Sequence, residues 1–140
     1  MGMKRVVHVV TSFVMHDGRI LILRRSGMVR TMRHKWAGVS GYIEEGEDAL
    51  ERAYREIEEE TGISRRDLRL VSTGREVEVV DEANDTVWIV HPYLFESSSD
   101  RVRLDWEHDS YLWIRPEELP CFDTVPMLRE ALESCLYGAC

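Results

Sequence analysis

Apolar residues follow two different rhythms along this chain. Residues 6–15 form a Val-rich run that reads as a buried strand. His16-Asp17-Gly18-Arg19 breaks the run with the Asp-Gly pair of a tight hairpin turn, and residues 20–23 return as a second strand. Residues 26–35 are polar and basic and read as a loop, and residues 36–43 are an extended piece spaced by glycine. From about residue 48 to 61 the rhythm becomes helical: Leu50, Ala53, Tyr54 and Ile57 recur on one face, and Gly62 stands where a left-handed residue would end the helix. Residues 68–80 are strand-like with an interruption at Gly74. Residues 87–95 form another strand, with a bulge or a sheet edge expected at Pro92, which lacks an N–H donor. A short strand at 111–114, a turn at 116–119 and a last helix follow. That helix is predicted to begin near Asp123 or Thr124, both good N-caps, and to bury Leu128, Ala131, Leu132, Cys135 and Leu136. The order of strands, helix, strands, helix predicts an α/β fold whose mixed sheet is covered by helices on both faces. A length of 140 residues suits one domain, residues 1–140.

Charge narrows the functional classes. A net charge of −8 argues against a general nucleic-acid binder, which needs a basic face. The charge is uneven, however. Arg24, Arg25, Arg30, Arg33 and Lys35 occupy one acid-free stretch, whereas residues 44–60 hold nine acids against Arg52 and Arg55. No apolar run approaches the roughly 20 residues that span a bilayer. The N-terminal segment has neither the length of a secretory leader nor a cleavage site, and Gly2 does not head a myristoylation motif because Val6 stands where Ser or Thr is needed. Cys121, Cys135 and Cys140 lack metal-ligand spacing and read as thiols in a reducing compartment. The expectation is a cytoplasmic protein without a membrane partner.

Chemistry concentrates in residues 41–63. Glu56, Glu59 and Glu60 stand at i, i+3 and i+4 of the predicted helix, so their carboxylates share one side of it. Like charges at this spacing repel, and the approaching C-terminus of the helix disfavours anions, each effect costing about 0.3–0.5 kcal/mol. A divalent cation reverses the sign of these penalties, and all-oxygen carboxylate ligands select hard ions such as Mg²⁺ or Mn²⁺. A solvated acidic helix face would account for the glutamates but not for the flanking glycines.

Gly41, five residues, Glu47, seven residues, then Arg55-Glu56-Ile57-x-Glu59-Glu60-x-Gly62-Ile63 resembles a complete Nudix box. At average residue frequencies such a match at a given start has a chance on the order of 10⁻⁹. The resemblance implies a Nudix-type α/β/α sandwich with a mixed β-sheet, and Mg²⁺-dependent hydrolysis of a diphosphate linkage, with Mn²⁺ as a substitute. It also implies roles for individual residues. Glu56, Glu59 and Glu60 match the metal-binding acids, and Glu56 is also a candidate general base. Arg55 matches the box arginine, which holds a box glutamate. Glu47 matches the loop acid that reaches the metal through water. Gly41 matches the loop glycine, and the preceding carbonyl of Ser40 is a candidate metal ligand. The catalytic set is thus Glu56, Glu59 and Arg55. Members usually carry Trp-x-x-Pro-Gly-Gly into the box; here the run is Trp36-Ala37-Gly38-Val39-Ser40-Gly41, which alters the loop more than the acids.

Downstream, Glu107-His108-Asp109-Ser110-Tyr111-Leu112-Trp113-Ile114 is similar to a segment of diadenosine tetraphosphate hydrolases. That makes Glu107 a candidate further metal ligand and His108 a candidate phosphate contact. Trp36, Trp88, Trp106 and Tyr93 are candidates for stacking on a base. No Pro lies between Ser64 and His91, where ADP-sugar members carry one, and the upstream coenzyme A and NADH-type signatures are missing. The expected substrate is a small-molecule nucleotide or other organic diphosphate: a nucleoside triphosphate or a dinucleoside polyphosphate. Two alternatives are a catalytically weak regulatory module on the same fold, disfavoured by the intact box, and a diphosphate isomerase, disfavoured because no Cys precedes Cys121. Many relatives dimerise, so a homodimer is the family expectation.

Overall fold

Two long strands form the spine of the sheet. The computed structural model describes residues 3–137; Gly2 and Cys140 lie outside them. Strand β1 (Arg5–His16) and strand β7 (Thr86–Ser97) run parallel along their length, from Arg5 opposite Thr86 to Met15 opposite Glu96. Asp17 and Gly18 both have positive φ, 53° and 76°, the mirror-image turn that suits the twist of a hairpin. It delivers β2 (Arg19–Arg25). Strand β4 (Val39–Tyr42) adds antiparallel to β1, while β5 (Leu68–Thr73) and β6 (Val77–Asp81) add antiparallel to β7. Strands β3 (Trp36–Ala37) and β8 (His108–Ile114) pair with β2, completing one mixed sheet.

Period-two alternation splits the apolar residues between two cores. Val10, Val14, Leu21, Leu23, Tyr93 and Phe95 face helix α1 (Ala49–Thr61), which contributes Ala53 and Ile57. Phe13, Ile20, Ile22, Leu94 and Ile114 face helix α2 (Leu128–Tyr137), which contributes Leu128, Ala131, Leu132 and Cys135. Successive residues of one strand therefore serve opposite layers, and each buried side chain of this size contributes about 1.5–3 kcal/mol. The result is the expected α/β/α layering.

Two local expectations are revised. Helix α2 begins at Leu128, not near Asp123 or Thr124. The Trp36 N–H donates to the Asp123 carbonyl and the Val125 N–H to the Trp36 carbonyl, each at 2.9 Å, so residues 123–125 are drawn out beside β3. Pro126 adds to this, since a residue before proline favours extended backbone. Pro92 sits in a central strand rather than at an edge. Val90 pairs with Val77 of β6 and Tyr93 with Thr73 of β5, so the proline falls where one flank changes partner. Its carbonyl still accepts from the Gly74 N–H at 2.9 Å. No helix among the described residues is long and apolar enough to cross a membrane.

Candidate active site

Helix α1 carries the box acids, and its two ends set their place. Asp48 caps the start, its side chain accepting from the Leu50 N–H. Gly62 ends it at φ 77°, and its N–H donates to the Glu58 carbonyl. The Arg103 N–H satisfies the Thr61 carbonyl at 2.8 Å, so the segment leading into β8 is stitched to the C-terminal end of the helix. That stitch brings Asp105, Glu107 and His108 against the acids.

Glu56 is buried against the sheet beneath β4. A Cβ on Gly41 would overlap the Glu56 carboxyl group and its Cγ, so only glycine leaves room for this side chain. Burial raises the Glu56 pKa, and the charge of Glu59 raises it further; Arg52 opposes both. The Arg52 guanidinium reaches Glu56 Oε2 at 3.4 Å and grips Glu47 with Nε at 2.9 Å and Nη2 at 2.7 Å. Glu47 also accepts the Glu44 N–H at 3.0 Å, and these bonds, that with Arg52 first, hold its carboxyl below the usual range. Arg55 is 59% exposed and lies 3.7 Å from Glu47. Arg52 is thus the arginine that holds box glutamates in this chain. The box pattern specifies only Arg55, whereas the signal for Arg52 is its i, i+4 spacing to Glu56.

Glu60 lies deeper, with its side chain only 3% exposed. Its pKa is raised well above the ordinary value, chiefly by burial and then by the charges of Glu56, Asp105 and Glu107. Glu107 is raised too, by burial and by Asp105. His108 is equally buried: Nδ1 is 2.9 Å from Asp105 Oδ1 and Nε2 is 3.7 Å from Glu60 Oε1. The ring faces acids on both sides, so His108 is a buried partner of Glu60 and not a phosphate contact. Glu59, on the same helix, is exposed to solvent.

A cleft of about 640 Å³ opens over Glu56. Ser40, Gly41 and Glu107 line it together with Arg52 and Glu44. Of the basic stretch, Arg25 and Arg30 line the cleft, whereas Arg24 pairs with Asp109 at 3.2 Å and Lys35 with Asp123 at 2.8 Å. Of the aromatic candidates, Trp88 and Trp106 line it; Trp88 lies against Tyr42, and Trp106 is 66% exposed. Trp36 packs edge-on against Phe122 and Tyr93 belongs to the core beneath α1, so neither faces the cleft. Ser40 bonds through its hydroxyl to Thr11 at 3.1 Å.

The donor set fits a divalent cation. Glu56, Glu60 and Glu107 are hard oxygen donors whose pKa values are all raised by burial and neighbouring acids, and Gly41 keeps the space that admits Glu56. A cation would relieve the repulsion. No group of three or more His, Cys, Asp or Glu side chains among the described residues is arranged to hold an ion by itself.

The NUDIX domain model matches residues 4–135. A bis(5'-nucleosyl)-tetraphosphatase (asymmetrical) of Mus musculus is 33% identical over 86 residues, covering 61% of this chain and 58% of the relative. An RNA pyrophosphohydrolase of Sodalis glossinidius is 41% identical over 59 residues, covering 42% and 31%. The chain therefore spans less than two thirds of these curated relatives. Among solved structures, a MutT NUDIX hydrolase from Burkholderia pseudomallei superposes with a TM-score of 0.75 at 27% identity, covering 94% of this chain and 98% of that one. Since the family model runs through both helical layers and the whole sheet between them, the chain belongs to the Nudix hydrolase family.

Proposed function

We propose that this chain hydrolyses the phosphoric anhydride of a nucleotide, either a nucleoside triphosphate or a dinucleoside polyphosphate, with Mg²⁺ as its metal and Mn²⁺ as a substitute. The observation that carries the reading is the Glu56 carboxyl, buried against Gly41 at the floor of a cleft with basic and aromatic walls. Glu56, Glu60 and Glu107 would hold the metal, with Glu59 and the Ser40 carbonyl as further candidates. A divalent ion held there would neutralise phosphate charge and polarise the reacting phosphoryl group.

The remaining steps belong to the chain's own residues. Glu56, whose carboxyl faces the cleft beside Gly41, accepts a proton from the attacking water. That water forms the new bond to phosphorus, the anhydride P–O bond breaks, and the departing phosphate carries away the negative charge. Glu47 and Arg52 keep Glu56 aimed at the cleft, and Arg55 adds positive potential from the exposed side of the helix. Arg25 and Arg30 offset the remaining phosphate charge, while Trp88 and Trp106 offer faces to a base. The tetraphosphatase relative favours a dinucleoside polyphosphate. A net charge of −8 disfavours a long nucleic acid.

The test is a panel of standard and oxidised nucleoside triphosphates, diadenosine polyphosphates, ADP-ribose, NADH and a 5'-triphosphorylated RNA. Each is incubated with Mg²⁺ or Mn²⁺ and the products are separated by chromatography, with Glu60→Gln as the blank. Turnover of a nucleoside triphosphate or dinucleoside polyphosphate that is lost in the blank establishes the reading. No turnover across the panel refutes it and favours a nucleotide-binding module.

A further inference from the structure

Asp105 and His108 join Glu60 in a buried row of three side chains. His108 and Glu60 are each 3% exposed and Asp105 is 18% exposed. Asp105 sits before β8 and His108 opens it, whereas Glu60 comes from the last turn of α1. The His108 N–H also donates to the Asp105 carbonyl at 3.4 Å, closing a turn around Trp106 and Glu107. The Ser26 N–H donates to the Glu107 carbonyl at 2.8 Å and the Ser26 hydroxyl to the Trp106 carbonyl at 2.9 Å, so the turn is pinned from a second side.

This geometry has a chemical consequence. An imidazole hydrogen-bonded through Nδ1 to a carboxylate has its ring plane fixed, so its other nitrogen points in one direction. Here that direction is Glu60 Oε1, 3.7 Å away, so the buried ring walls the carboxyl on that side. Glu60 is thereby confined at one oxygen. His108 is 3% exposed and is not among the residues lining the cleft.

We propose that His108 and Asp105 are positioning residues for Glu60: Asp105 orients the His108 ring, and the ring holds the Glu60 carboxyl in the attitude needed to receive a divalent cation. The inference rests on the metal-site reading above and goes beyond it, because it assigns metal affinity to two residues outside the donor set. Partners that orient a ligand in this way are typically worth about 10–100-fold in metal affinity.

The test measures Mn²⁺ affinity directly, by the electron paramagnetic resonance signal of the free ion, with no substrate present. Full-length wild type is compared with His108→Ala, His108→Gln, Asp105→Ala and Asp105→Asn, each melted in EDTA to confirm folding. The expected result is a dissociation constant about 10-fold or more weaker in His108→Ala and Asp105→Ala. Asp105→Asn should stay near wild type, because its side-chain carbonyl still accepts the Nδ1 hydrogen. A purely structural role would lower the EDTA melting temperature and leave Mn²⁺ affinity unchanged, and that result overturns the proposal. So does an Asp105→Asn variant as weak as Asp105→Ala. Should His108→Ala fail to fold, His108→Gln and the Asp105 pair carry the same comparison. A wild type that binds Mn²⁺ but hydrolyses nothing in the panel refutes the hydrolase reading alone. Unchanged affinity beside an active wild type refutes the positioning role alone.

Discussion

The carboxyl group of Glu56 lies against the α-carbon of Gly41, with no room for a β-carbon between them. Gly41 is paired with Val10 in the sheet and does not have a positive φ, so glycine is needed here for space and not for backbone conformation. Gly41→Ala should therefore fold, because β4 keeps its pairing, but Glu56 must swing away. The expected outcome is a fall in kcat of about 10-fold or more with a cooperative melt retained, read by steady-state kinetics and circular dichroism. Wild-type turnover in Gly41→Ala would mean that Glu56 tolerates displacement and is not the positioned base.

Glu60 links the site to stability through pH. In the unfolded chain it ionises near its ordinary value of 4.5, and in the fold burial and neighbouring acids move it well upward. The folded state therefore holds the proton more tightly. Its stabilising contribution is fully present below pH 4.5 and is lost as pH rises through the folded value. In EDTA, the melting temperature of wild type should fall with rising pH relative to that of Glu60→Gln, which carries no ionising group at this position. Comparing the two chains cancels Glu47 and Glu51, which shift in the opposite direction. Saturating Mg²⁺ should shrink the difference by stabilising the ionised form. The same substitution should lower kcat by about 100-fold or more, since it removes a direct donor. A Glu60→Gln chain that melts in parallel with wild type at every pH would show that Glu60 is hydrated in solution.

How much of this could be read from the chain depends on the range of the interactions involved. The start and end of α1 were legible because Asp48 and Gly62 act within one turn. The hairpin after β1 was legible because Asp17 and Gly18 meet a local demand for positive φ. The proximity of Glu56 and Glu60 was legible because their i, i+4 spacing puts both on one helix face, whereas Glu59 is exposed to solvent. By contrast, the early start expected for α2 failed because residues 123–125 are held by Trp36, far away in the chain. Trp36, Trp88 and Trp106 look alike in sequence; only tertiary structure puts Trp36 on Phe122 and the other two in the cleft. Asp105 was missed for the same reason, since its role depends on His108 being folded against Glu60.

Arg52 and Arg55 share a helix and differ by one turn, yet their surroundings predict different losses. Arg52 is 12% exposed and grips both Glu47 oxygens, whereas Arg55 is 59% exposed with one loose ion pair. Arg52→Lys should lower the melting temperature and reduce kcat by roughly 10-fold, because an ammonium cannot reproduce the two-pronged grip that holds Glu47 beside Glu56. Arg55→Gln should change stability by no more than about 0.5 kcal/mol, as expected for an exposed side chain. If thermal melts show the larger loss at Arg55, the assignment of the holding arginine to position 52 is wrong.

Trp106 extends the site beyond the phosphates. It is 66% exposed at the cleft wall, unusual for a tryptophan with no partner of its own to cover it among the described residues. Its backbone is fixed, since its carbonyl accepts the Ser26 hydroxyl at 2.9 Å, so the indole projects from a held turn and not from a loose loop. A base stacked on such a face is worth about 1–3 kcal/mol, or roughly 5- to 150-fold in binding. Trp106→Ala should therefore raise KM for the nucleotide by about 10-fold while kcat falls much less, because the stacked base is remote from the reacting phosphorus. Trp106→Phe should recover most of the loss by keeping an aromatic face. Trp88 differs in being supported by Tyr42 and by a 3.4 Å bond from its Nε1 to Asp81, so Trp88→Ala should also cost stability. An unchanged KM in Trp106→Ala would place the base elsewhere, with Trp88 and Tyr42 as the remaining wall.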